Sequence, residues 1–175
     1  MKDLMIDIET LDTANTAMIV SIGAIEFDIK TGETGKEFYE VIDINSYKKL
    51  LNNPFTYNLD TLLWWLNQSK ESQKIFDFKA ENKRGIIDMM QSFKASFDFS
   101  KVRIWSKGNF DIPILEHALR ACGLPVPWKY YQVMDMRTVL KLSELEFKKT
   151  NTHNALDDCK NQTNQLVMSL KEIKL

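Results

Sequence analysis

Cysteine is scarce: Cys122 and Cys159 are the two in 175 residues, with no CxxC pair and no Cys/His cluster. That spacing excludes a disulfide framework and a structural zinc site. It reads as two reduced, buried small residues of a cytoplasmic protein, bacterial or made by a phage in its host's cytoplasm. No apolar run approaches a membrane span, and the first residues lack the apolar core of a signal peptide, so no membrane partner is expected. An excess of one charge is missing too: 23 Lys and Arg against 24 Asp and Glu leave a net charge of -1. This excludes a protein that coats nucleic acid through a broad basic surface, though not an enzyme that takes a nucleic-acid end into a local pocket. Repeats, low-complexity tracts and linkers are absent. A hydrophobic content of 44% then suits one domain, 1–175, with a core of its own.

The segments that are present alternate in type along the chain. Asp3 to Ile8 and Met18 to Phe27 read as strands, and a Gly-containing turn, Lys30 to Gly35, leads to a third at Glu37 to Ile42. Helical spacing follows, with Asn58 or Asp60 as a cap before Leu62, Leu63 and Leu66, and a second helix over Asn82 to Phe97. Val102 to Trp105 is a fourth strand, followed by a helix from Phe110 to Cys122 that ends at Gly123. Tyr130 to Met134 is a short fifth strand, and a helix begins at Asp135. Asn154 caps the last helix, whose inner stripe is Leu156, Cys159, Thr163, Leu166 and Leu170. This order predicts an α/β fold, a mixed five-stranded sheet flanked by helices.

Within the first strand, Asp7 and Glu9 lie two residues apart and so point to one face, with Leu4, Ile6 and Ile8 on the other. Two like charges side by side repel unless a cation sits between them, and hard divalent cations take oxygen ligands. A solvated strand face would look the same, and Glu26/Asp28 and Glu144/Glu146 repeat the spacing. Asp111 falls in the first turn of a helix after a strand, where ligands bind in open α/β sheets, although a helix dipole also favours an acid there. Gly108 before it permits a close backbone approach. Asp158 sits near the start of the last helix, with His153 ahead of the cap on a loop.

Three segments carry a resemblance: Asp7-Ile8-Glu9-Thr10, Gly108-Asn109-Phe110-Asp111 and His153-Asn154-Ala155-Leu156-Asp157-Asp158. In order and interval they resemble the exonuclease motifs of the DnaQ-like superfamily, DEDDh branch. Ser21-Ile22-Gly23-Ala24, Thr61 to Gln68 and Asp135-Met136-Arg137-Thr138 look like the subgroup of the RNase AS enzymes and phage T4-type exonuclease A. The resemblance implies a ribonuclease H-like fold, 3′-to-5′ exonuclease activity and two divalent cations, Mg2+ with Mn2+ able to substitute. It implies that Asp7 bridges both ions, that Glu9 and Asp158 complete the first, that Asp111 holds the second through water, and that His153 is the general base. Metal-assisted phosphodiester hydrolysis and an imidazole base agree with that assignment as chemistry.

Single-stranded 3′ ends are the expected partner, DNA slightly ahead of RNA, with a homodimer implied by resemblance to RNase T and RNase AS. By the same resemblance Thr10 and Leu11 meet the terminal nucleotide. Phe110 and one of Trp64 and Trp65, taken as Trp65, are candidates for stacking on bases. Lys107 reads by default as a solvated lysine, with a phosphate contact as the alternative, and His117, between Leu115 and Leu119, reads as structural. A catalytically silent binding module on the same fold is the rival of another class, and the intact set Asp7, Glu9, Asp111, His153 and Asp158 argues against it.

Overall fold

Strand β1 (Lys2–Thr10) turns its side chains alternately to two faces, and each face meets a different set of helices. In the computed structural model, which describes residues 2–50, 52–77, 83–148 and 153–173, Leu4, Ile6 and Ile8 enter the larger core cluster. There they meet Met89, Met90 and Phe93 of α3 (Ile86–Ser96) and Ile112, Leu115 and Ala118 of α4 (Asp111–Ala121). Met5, on the opposite face, joins Met136 of α5 (Met136–Ser143) and Cys159, Leu166 and Val167 of α6 (Ala155–Glu172). Asp7 and Glu9 share the face of Met5 and thus look toward α6. Their separation from the aliphatic side of the same strand follows from period-two alternation alone.

Strand β1 is the central strand of a five-stranded sheet. The hairpin strands β2 (Ile19–Phe27) and β3 (Thr34–Val41) add antiparallel on one side. On the other side β4 (Val102–Ser106) and β5 (Val133–Asp135) add parallel. The mixed five-stranded sheet flanked by helices is the one the sequence order predicts. Helices α1 (Leu59–Leu66) and α2 (Lys70–Gln73) lie between β3 and α3 in the chain, and Asn58 caps α1 by accepting from the Asp60 and Thr61 amides. Among the described residues, no helix is long and apolar enough to cross a membrane.

Several boundaries differ from expectation, and three of the differences have a visible local reason. Strand β3 begins at Thr34, not Glu37, because the Asp28 carboxylate accepts from the Lys30 and Thr31 amides and closes the turn early. Tyr130–Gln132 is a 3-10 turn, and β5 starts only at Val133. The buried Gln132 amide explains this, since Nε2 donates to the Phe99 and Val102 carbonyls and pins the segment to the start of β4. Helix α3 starts at Ile86, whose amide donates to Ser46 Oγ; Asn82, the expected start, lies outside the described residues.

The element that positions the site is Gly23. It pairs with Asp7 on β1 and with Tyr39 on β3, so all three residues share the face turned to α6. A Cβ at Gly23 would overlap the Ala155 carbonyl and the Leu156 nitrogen, so the first turn of α6 rests on bare backbone. We expect Gly23→Ala to destabilise the protein by at least ~3 kcal/mol, the upper range of overpacking costs, because rigid backbone on both sides must give way. Urea unfolding of both proteins measures this, and an unchanged midpoint would mean that α6 is not seated on β2.

Candidate active site

The cap of α6 places the first group. Asn154 Oδ1 accepts from the Leu156 and Asp157 amides at 3.1 and 3.2 Å, which orients the helix so that Asp158 turns inward while Asp157 stays exposed. Carboxylate oxygens of Asp7, Glu9 and Asp158 then lie within 4.8 Å of one another. Asp111 arrives from the β4–α4 junction. The β1–β4 ladder is last paired at Met5 and Trp105, and beyond it Asp111 Oδ1 accepts the Ile8 amide at 3.2 Å. That bond ties a 4%-exposed carboxylate to the backbone between Asp7 and Glu9. The four acids predicted from their motifs are thus brought to one place.

Their electrostatics are unfavourable as they stand. Asp7 is raised well above the usual carboxylate range, first by burial, then by Asp111 and Glu9; the Gln162 amide opposes this and Asp158 adds to it. Burial and the charges of Asp158 and Asp111 push Glu9 up to about 8. Burial pushes Asp111 to about 7, held back by the amides of Ile8 and of Asp111 itself and by the Arg137 charge. Acids this close are relieved by protons or by a cation. An all-oxygen donor set of carboxylates suits a hard divalent ion such as Mg2+ or Mn2+.

His153, immediately before the Asn154 cap of α6, has a left-handed backbone, φ 48°. Its ring meets Trp64 edge-to-face at 4.9 Å and Trp65 at 5.9 Å. It also borders a cleft of about 430 Å3 with Tyr39, Ser69, Lys74, Asn154 and Asp157. His117 is structural as expected: Nε2 lies 3.2 Å from the Pro54 carbonyl and the ring packs on Phe55.

The expected nucleic-acid contacts divide. Trp65 is 2% exposed and its Nε1 donates to the Thr10 carbonyl at 2.9 Å, so it has no free face for a base and its assignment as a stacking residue is corrected. Its neighbour Trp64 is the exposed one, at 43%. Thr10 and Leu11 are buried, with the Thr10 carbonyl taken by Trp65 and that of Leu11 by the Asn58 amide. Phe110 is half-buried against the larger core cluster.

Sequence reasoning missed two residues. Gln162 donates from Nε2 to Asp7 Oδ1 at 2.7 Å, and its position one turn after Asp158 was the available signal. Tyr39, in line with Gly23 and Asp7 across the sheet, is near enough to Glu9 and Asp157 for their charges, after burial, to raise its phenol. No motif marks it, because its place depends on hairpin register.

A helix-flanked mixed sheet whose central strand presents acids to a helix start is the architecture of ribonuclease H-like nucleases. The model of the 3′-5′ exoribonuclease Rv2179c-like domain matches residues 2–170, and the chain belongs to that family. No curated protein sequence matches the chain. Among solved structures, E. coli exonuclease I in complex with a dT13 oligonucleotide is similar at a TM-score of 0.71 and 10% identity, over 99% of this chain and 42% of that one. Cell-death related nuclease 4 is similar at 0.63 and 13% identity, over 97% of this chain and 64% of that one. At these identities the likeness is one of fold. The chain spans about two-fifths of the exonuclease I chains it resembles.

The raised acids predict a stability profile. Glu9 and Asp111 hold protons more tightly folded, at about 8 and about 7, than at their ordinary 4.5 and 3.8. Their contribution is therefore complete at acid pH and lost as pH rises through the folded values. In EDTA the melting temperature should fall from about pH 5 to about pH 8, and Glu9→Gln should flatten that fall and melt higher at the alkaline end. Added Mg2+ or Mn2+ should stabilise the wild type most at alkaline pH, since ligands must be deprotonated to bind. A wild-type profile that is flat and insensitive to either ion would refute this electrostatic reading.

Proposed function

We propose that this single domain removes nucleotides from the 3′ end of single-stranded nucleic acid with the help of two divalent cations. The observation that carries the proposal is the meeting of Asp7, Glu9 and Asp158 oxygens within 4.8 Å, with Asp111 bonded to the intervening Ile8 amide. Asp7 would be shared between the ions, Glu9 and Asp158 would hold the first, and Asp111 the second. Divalent cations bound there supply a water that is nucleophilic at neutral pH and charge that stabilises the leaving oxygen.

The chain's own groups do the remainder. Gln162, by donating to Asp7, fixes the orientation of that carboxylate, and Asn154 sets the helix start that aims Asp158. His153 would accept the proton of the attacking water at its imidazole, a group able to take and release a proton near neutrality. Trp64 and Trp65 hold the ring edge-to-face, which supports a left-handed backbone that an L-residue adopts at a cost. The exposed Trp64 replaces Trp65 as the candidate for stacking on a base.

RNA is the substrate favoured by the family's description as exoribonuclease. DNA, slightly ahead in the expectation from sequence although no residue selects it, is the second reading; the exonuclease I structure carries dT13, and its likeness is of fold alone. A homodimer is proposed from the family resemblance only.

End-labelled single-stranded RNA and DNA, incubated with Mg2+, Mn2+ or EDTA, test the proposal. We expect a ladder receding from the 3′ end with either ion, none in EDTA, and faster loss of RNA. His153→Ala should lower kcat on the order of 10²–10⁴-fold, the usual contribution of general acid–base catalysis, with little change in the cation concentration required. No ladder under any ion would leave the binding-module reading in its place.

A further inference from the structure

Arg137 lies near Asp111, on an element none of the catalytic motifs uses. Its backbone amide caps α5 by donating to Asp135 Oδ1 at 2.8 Å, and the same oxygen accepts the Gly108 amide at 2.9 Å. One carboxylate thus joins the start of α5 to the β4–α4 turn that delivers Asp111. Across that turn lies the Arg137 guanidinium, with Nη2 donating to the Lys107 carbonyl at 3.2 Å. Gly108 has φ 92°, and a Cβ there would stand 3.0 Å from Cζ and 3.2 and 3.3 Å from Nη2 and Nη1. The planar cation therefore rests against backbone that only glycine leaves bare.

Among the described residues no carboxylate forms an ion pair with this charge, and the Arg137 side chain is exposed. The Lys107 carbonyl takes one of a guanidinium's five donors. Yet the group is near enough to Asp111 for its charge to act on that acid. An arginine held by backbone loses little freedom on meeting a planar or tetrahedral oxyanion, and it binds phosphate in a fork that lysine lacks.

Direction along the sheet decides which phosphate. Past Glu9, the chain continues into buried Thr10 and Leu11, packed on Trp65 of α1. The β4 and β5 side is bordered instead by exposed Lys107, Asn109 and Arg137. A 3′ end lying over the carboxylates with its last nucleotide against that buried segment sends the rest of the strand out on the β4 and β5 side. Resting on the exonuclease reading, we infer that Arg137, clasped on the Gly108 turn, is a binding site for a backbone phosphate of the nucleic acid, on the 5′ side of the bond that is cut.

Fluorescence anisotropy of a labelled single-stranded oligonucleotide, in Ca2+ over a series of salt concentrations, tests the site without turnover. Arg137→Ala should weaken binding about 10-fold, the low end for a charged hydrogen bond, and reduce the salt slope by about 1; Arg137→Lys should recover part of both. Unchanged affinity and slope would overturn the inference, whether or not the protein hydrolyses anything. A second comparison uses the nitrophenyl ester of thymidine 5′-monophosphate, which has a bond to cut but no phosphate on its 5′ side. The loss of kcat/KM in Arg137→Ala should be about 10-fold greater on the oligonucleotide than on the ester. Equal losses on both would instead make Arg137 a latch for the Asp111 turn. A wild type inert on both substrates would sink the exonuclease reading while the anisotropy result still judged the phosphate site.

Discussion

The missing side chain at Gly23 lets the first turn of α6 rest on β2, and the acidic centre takes its shape from that contact. Asp158 can reach Asp7 and Glu9 only because the helix start stands directly over the Asp7–Gly23–Tyr39 row of the sheet. The Asn154 cap then fixes the helix direction, and Gln162, one turn further, is carried onto Asp7 by the same seating. Below the site, Met5, Cys159, Leu166 and Val167 bury the middle of α6 against the same face of the sheet. Apolar packing thus holds in place a group of like charges that would otherwise move apart.

That arrangement sets stability against function. Acids raised to about 7 and about 8 are strained toward the protonated form at neutral pH, and the fold bears this because apolar clusters on both faces of the sheet hold the elements that carry them. A cation changes the sign of the local field and turns mutual repulsion into shared attraction. On the proposed reading, function and metal-linked stability would be two consequences of one geometry. The aromatic contacts of His153 and the backbone clasp of Arg137 extend it outward, one at the α1 side and one at the β5 side.

Much of this was legible in the chain. Alternation put Asp7 and Glu9 on one face and Leu4, Ile6 and Ile8 on the other, and strand order foretold the mixed sheet with helices on both sides. The resemblance, through the interval from His153 to Asp158, selected Asp158 over Asp157, and the helix start sets Asp158 with Asp7 and Glu9 while Asp157 is exposed. What stayed hidden depends on register and on distant contacts. Trp64 and Trp65 are adjacent letters of one helix, and only the Thr10 carbonyl beneath the second shows which is core. Tyr39 needs the β2–β3 pairing to be known. Arg137 needs the bare Cα of Gly108, and the start of β5 needs the far carbonyls that hold Gln132.

The most direct test is diffraction from crystals soaked in Mn2+, with anomalous differences collected at the manganese edge. The account predicts one manganese peak among the Asp7, Glu9 and Asp158 oxygens and a second between Asp7 and Asp111. Manganese found elsewhere, or none at this cluster in crystals saturated with the ion, would contradict it.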